Sequence, residues 1–235
     1  MPTSKPYLLG AGVVVAAALL GLVSYTATKP AERSPAVVAE ASEGAPAGVH
    51  PELERYARRD AGDPLAVGRA DAPVVLIEYA DFKCGYCGKY ARETEPELIE
   101  KYVDGGVLRI EWRNFPIFGE ESERAARAAW AAGRQGRFRQ FHRAAFAEGA
   151  KEQGFGPERV TALARAAGVP DLGRFARDLD SAAAREAVAD DREQAYALGA
   201  TSTPSFLVNG RPIAGAQPME TFTSAIEAAA REAGR

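Results

Sequence analysis

The chain has only two cysteines, and both lie in one Cys84-Gly85-Tyr86-Cys87 unit just after an apolar run, Val74-Val75-Leu76-Ile77-Glu78-Tyr79-Ala80. The β-branched residues in that run read as a buried strand. Asp81-Phe82-Lys83 ends it, and from Gly88 to Tyr102 the chain is rich in Ala, Glu, Lys, Arg and Leu, which favour helix. Strand, short loop, then helix puts Cys84 at a helix N-terminus, where unpaired N–H groups and the helix dipole favour negative charge. Such a setting lowers the pKa of a thiol and makes it reactive. The expectation is an exposed, nucleophilic Cys84 at the end of the loop. Cys87, in the first helical turn, should be more shielded and close enough to form a small disulfide with it.

Glu78 sits inside the strand, flanked by Ile77 and Tyr79. A buried carboxylate without a partner is costly, so it is either neutralised or turned toward a polar channel. Beneath a Cys-x-x-Cys unit it could exchange a proton with Cys87. The alternative is a solvent-facing position at a strand edge.

At 235 residues the chain accommodates one good-sized domain, or a domain with appendages. A net charge of −3 gives no case for a nucleic-acid partner. With both cysteines in the motif, a disulfide-stapled fold is excluded, as is a zinc site of three or four thiolates. His50 and His142 alone remain as histidine ligands, and no metal or organic cofactor is expected. His142, in a helical context, reads as a helix-surface or core-edge residue.

Residues 1–28 read as a membrane anchor. The stretch from Tyr7 to Tyr25 is uncharged and, at ~1.5 Å per residue, long enough to cross a bilayer. A cleaved signal peptide is the alternative. Residues 29–62 are rich in Pro, Ala, Glu and Ser and read as a tether, with a short charged helix from Pro51 to Arg59. The folded domain is expected over residues 63–235. Within it, Val107 to Phe115 forms a second strand parallel to the first, joined by the motif helix in a βαβ unit. Pro96 should kink or break that helix. Residues 119–198 are almost wholly helical. Ser205-Phe206-Leu207-Val208, Asn209-Gly210 and Arg211-Pro212-Ile213-Ala214 form a hairpin, with Pro212 marking an edge. A closing amphipathic helix follows Gln217-Pro218.

The strand with its Cys84-Gly85-Tyr86-Cys87 unit and the later Thr203-Pro204 hairpin together resemble the DsbA-type thioredoxin-fold thiol:disulfide oxidoreductases. The resemblance implies an α/β thioredoxin fold, βαβ then ββα, with a helical subdomain inserted between the halves. It implies that Thr203-Pro204 carries a cis peptide bond beside a redox-active Cys84–Cys87 disulfide, and that Thr203 pairs with an extended substrate segment. Glu78 matches the buried acid of the family's strand. Gly85-Tyr86, also at the substrate surface, departs from the Pro-His pair of the best-known oxidase and looks like the pair of the DsbC-type isomerases.

Three kinds of function are consistent with these residues. The first is an extracytoplasmic, membrane-tethered enzyme that forms disulfides in exported proteins. By the resemblance, it would be reoxidised by a DsbB-type or vitamin K epoxide reductase-like membrane partner. A reductase or isomerase is the alternative direction. A non-catalytic thioredoxin-like binding module, with the cysteines as a staple, belongs to another class. A cysteine peptidase is disfavoured, because neither histidine has a suggestive context.

Overall fold

The computed structural model describes residues 48–234. Expectations for residues 1–28, and for the tether up to residue 47, lie outside the described residues. No helix among the described residues is long and apolar enough to cross a membrane.

A five-stranded sheet of order β1-β3-β2-β4-β5 forms the centre. The strands are β1 (Ala66–Val67), β2 (Val74–Ala80), β3 (Leu108–Asn114), β4 (Ser205–Val208) and β5 (Arg211–Ala214). β2 and β3 are buried at every position, as strands covered on both faces must be. They pair in parallel, in register from Val74↔Leu108 to Ala80↔Asn114. β1 joins β3 antiparallel at one edge; β4 joins β2 antiparallel and β5 closes the other edge. Pro212 lies on that edge strand, where its missing N–H leaves no central ladder unpaired.

The crossover from β2 to β3 runs through α1 (Gly85–Glu93) and α2 (Glu95–Leu98). Pro96, near the start of α2, marks the break between the two helices. A π-turn over Ile99–Val103 follows, in which Asp104 N–H donates to Ile99 O at 3.0 Å. Alternation along β2 sorts its side chains. Val74 and Leu76 pack with Tyr90, Leu98, Phe206, Phe222 and Ile226, while Val75, Ile77 and Tyr79 meet Phe115 and Leu207 on the opposite face.

The helical insertion comprises α3 (Glu120–Gly133), α4 (Phe138–Ala145), α5 (Pro157–Ala166), α6 (Leu172–Leu179) and α7 (Ala182–Ala197), before α8 (Met219–Ala233) closes the chain. The insertion is bolted to the motif loop by Phe82. That ring stacks at 4.9 Å on Phe146 and lies 5.0 Å from Trp112 and 6.1 Å from Phe141. Burying a side chain of this size contributes ~2–3 kcal/mol.

Residues 48–62, expected as tether, are part of the folded domain. Pro51–Tyr56 form a 3₁₀ turn, and the Arg58 and Arg59 N–H groups donate to the Glu111 carboxylate at 2.9 and 2.8 Å. Local composition hides this because the partner lies on a distant strand. Glu111 also accepts from Arg109 Nε at 2.9 Å and Arg113 Nη2 at 2.7 Å. Burial works against its charge, but these donors hold its carboxyl below the usual range. Arg113 is fully buried and also approaches Asp63 at 3.6 Å, while Asp191 of α7 accepts from Arg58 and from Asn114 N–H. One charge network therefore joins the N-terminal strap, β3 and the insertion.

Breaking a buried pair leaves an uncompensated charge, which is strongly destabilising. Glu111→Gln removes the nearest carboxylate from the buried Arg113 and Arg109, leaving Arg113 only its longer pairs with Asp63 and Asp191, and should lower unfolding free energy by about 3 kcal/mol. Urea denaturation followed by circular dichroism measures it. A change under ~1 kcal/mol would mean the network behaves like an exposed ion pair.

Candidate active site

β2 ends at Ala80, and Asp81 shapes the loop that follows. Asp81 Oδ1 accepts from Lys83 N–H at 2.7 Å, a local Asx turn. Its other oxygen accepts from Ile117 N–H at 2.7 Å and Phe118 N–H at 3.2 Å. One buried carboxylate thus ties the motif loop to the chain leaving β3. Lys83 adds an ion pair to Glu121 of α3 at 2.6 Å. The aspartate follows the strand in the sequence, but nothing local reveals its partners beyond β3.

Cys84 is the N-cap of α1. Its Sγ accepts from Cys87 N–H at 3.4 Å and lies 3.2 Å from Thr203 O, toward which the thiol donates. Cys84 was expected to be exposed; it is only 6% exposed, because the Thr203 loop covers it. Both thiols are free. The interaction with Cys87, with added help from the Cys87 and Tyr86 backbone N–H groups, outweighs burial and brings the Cys84 pKa down to about 6. Cys87 is fully buried within α1, and burial, reinforced by Cys84, pushes its thiol well up, with only the Asp81 N–H acting the other way. Neighbouring sulfurs thus have opposite acidities.

Glu78 lies beneath them, 0% exposed, with neither carboxylate oxygen hydrogen-bonded. The strand-edge alternative is excluded. Burial, then the charges of Glu95 and Cys84, raise its pKa well above the ordinary carboxylate value. The Thr203–Pro204 peptide bond is cis, and both residues are buried against the motif. Gly85 and Tyr86 lie on the surface, Tyr86 69% exposed. A Cβ at position 85 would lie 3.5 Å from Lys151 Nζ. All seven residues singled out in the sequence, Glu78, Cys84, Gly85, Tyr86, Cys87, Thr203 and Pro204, therefore gather at or under the N-terminus of α1.

His142 is not at a helix surface or core edge. It is buried among Phe82, Trp112, Phe138 and Phe146, with Nδ1 3.6 Å from Glu95 Oε2. Helical periodicity alone did not reveal that aromatic enclosure. Among the described residues no group of His, Cys, Asp or Glu side chains is placed to hold a metal ion.

This geometry separates a readily ionised sulfur from a shielded one, the arrangement that thiol–disulfide exchange requires. Reduced protein treated with substoichiometric iodoacetamide at neutral pH should be alkylated at Cys84 first, as read by peptide mass spectrometry. Equal labelling of Cys84 and Cys87 would contradict the assignment of acidities.

Comparison with known proteins agrees. The Thioredoxin family model matches residues 60–228. The chain is 30% identical over 151 residues to the probable disulfide bond formation protein D of Bacillus cereus, covering 62% of this chain and 69% of that protein. It is 31% identical over 221 residues to the Na(+)/H(+) antiporter NhaA 3 of Salinispora tropica, covering 93% of this chain but only 32% of the antiporter. The crystal structure of a thioredoxin-like oxidoreductase from Silicibacter pomeroyi superposes with a TM-score of 0.66 at 28% identity, covering 75% of this chain and 98% of that one. With its sheet order, its helical insertion and its Cys84-Gly85-Tyr86-Cys87 motif, the chain belongs to the thioredoxin family.

Proposed function

We propose that this protein is a protein disulfide oxidase, passing the Cys84–Cys87 disulfide to exported proteins that carry free cysteines. The observation that supports this direction is the stabilised Cys84 thiolate, with its pKa at about 6. Stabilising the reduced form makes the disulfide form the stronger oxidant.

In the reaction, a substrate thiolate attacks Cys84 Sγ. The Cys84–Cys87 bond breaks, a mixed disulfide forms, and Cys87 leaves with the electron pair and takes up a proton. Glu78, uncharged in its buried site, is suited to supply that proton to Cys87. A second substrate thiolate then attacks the substrate sulfur of the mixed disulfide. The substrate leaves oxidised and Cys84 is released as a thiolate, so two electrons have passed to the protein. Thr203 and Pro204 line the groove for an extended substrate segment, while Gly85 and exposed Tyr86 flank the attacked sulfur.

Reoxidation falls to a membrane partner of the DsbB or vitamin K epoxide reductase kind, with the domain outside the cytoplasm and tethered through residues 1–28. The Gly85-Tyr86 pair favours a second reading as isomerase or reductase, fed by a reducing partner.

The two directions differ in potential. Equilibration in glutathione redox buffers should give a value less negative than ~−180 mV; a value near the ~−270 mV of thioredoxin would assign a reductase. A Cys87→Ser variant should accumulate mixed disulfides with protein substrates through Cys84, whereas Cys84→Ser should accumulate none. Equal trapping by both would reverse the order of attack.

A further inference from the structure

The motif is bordered by the helical insertion as well as by the Thr203 loop. The segment from Ala150 to Phe155 lies against it, anchored at both ends. Ala150 and Phe155 are buried, and the Phe155 ring is 6.3 Å from that of Phe82 in the motif loop. Between them, Gly154 N–H donates to Lys151 O at 3.0 Å and closes a 3₁₀ turn over Lys151–Gln153. Gly154 has a φ of +68°, and a Cβ there would come within 2.8 Å of Glu121 Oε1, so glycine is required on both counts. The other oxygen of Glu121 accepts from Lys83 Nζ at 2.6 Å. One carboxylate of α3 thus joins the motif loop to this turn.

The turn places Lys151 over the motif. Its Nζ is 3.5 Å from where a Cβ on Gly85 would stand, one residue beyond Cys84, and Gly85 has no side chain to fill that space. Lys151 pairs with the neighbouring Glu152 at 3.8 Å, beyond hydrogen-bond distance, with the two side chains 47% and 67% exposed. Such a pair is weak and leaves the ammonium donors open to other acceptors. Lys83 differs, because Glu121 neutralises it at hydrogen-bond distance. The next cation, Arg92, lies over Gly88, further along α1, and donates to Phe146 O at 2.8 Å. Together with the positive N-terminus of α1, these groups make this side of the site attractive to anions.

We propose that Lys151 is a specificity-determining residue, selecting substrate thiols that have an aspartate or glutamate next to the reacting cysteine. A segment that delivers its sulfur to Cys84 passes over Gly85, where an acidic side chain beside its cysteine meets the Lys151 ammonium. The ion pair forms in the encounter and persists in the mixed disulfide. The carboxylate exchanges no electrons, which pass between the sulfurs alone. A lysine or arginine in the same place meets like charge and is disfavoured.

This inference rests on the function proposed above, in which a substrate thiolate attacks Cys84. Full-length protein in the disulfide form is mixed with three peptides that differ only in the residues flanking a single cysteine: glutamate, glutamine or lysine. Acid quenching and mass spectrometry of the mixed disulfide give initial rates for wild type, Lys151→Met, Lys151→Glu and Lys101→Met. The thiol acidity of each peptide cancels when the same peptide is compared between proteins. The glutamate-to-lysine rate ratio should fall about fivefold in Lys151→Met, the upper range for an exposed ion pair, and further in Lys151→Glu. The difference between wild type and Lys151→Met should shrink in 1 M salt, which screens charges beyond ~3 Å. Lys101→Met removes the same charge from the crossover leading into β3, at the other end of the strands, where Lys101 pairs with Glu227 at 3.4 Å, and should keep the wild-type ratio. Equal ratios in wild type and Lys151→Met, or the same fall in Lys101→Met, would overturn the role of Lys151 while leaving exchange at Cys84 intact. Failure of the wild type to react with any of the peptides would instead remove the proposed function, and the selection with it.

Discussion

Cys84 Sγ is held between the first turn of α1 and the carbonyl of Thr203, and the site depends on both contacts. They come from positions 119 residues apart in sequence for the Thr203 contact and from within the motif for the Cys87 N–H. The link between them is the antiparallel pairing of β2 with β4, in which Glu78 faces Phe206 and Tyr79 faces Ser205. That register brings the Thr203–Pro204 turn over the end of β2. The helix alone would supply a positive N-terminus, but the sheet fixes what the sulfur meets there.

The same layout separates two sulfurs that are chemically alike. Cys84 has N–H donors from the start of α1, which favour its thiolate. Cys87, one turn along, has been pulled inside the apolar layer, where the charged form is disfavoured. Glu78 shares that interior, where burial likewise disfavours its charged form and raises its pKa. Hydrogen bonding thus favours charge on one sulfur, while burial disfavours it on the other sulfur and on the carboxyl beneath them. The structure maintains this low-dielectric pocket from two directions. Tyr90, Phe206 and Phe222 close it beneath α1, while Phe82, Trp112 and Phe146 close it against the insertion.

Much of this could be read in the sequence because the signals were local. The apolar run of β2, the strand of β3 and the Asn209-Gly210 turn all emerged where composition and period pointed. Features set by distant partners did not. The strap of residues 48–62 looked like tether because its charges find Glu111, Arg113 and Asp191 only after β3 and α7 are assembled. The burial of Cys84 depends on a loop from the far end of the chain. Asp81 could be seen as a turn former, but not as the clamp on Ile117 and Phe118. Likewise, Glu95 and His142 are on different helices, and no periodicity pairs them.

The claim on which the account turns is that the fold stabilises the Cys84 thiolate, and its titration tests this most directly. Ultraviolet thiolate absorbance of the reduced protein, followed across pH with Cys87→Ser as a control that isolates Cys84, reads the ionisation itself. Thiolate should appear as pH rises through about 6, with Cys87 silent through the neutral range in the wild-type protein. A Cys84 midpoint at the ordinary thiol value of ~8.5 would contradict the account.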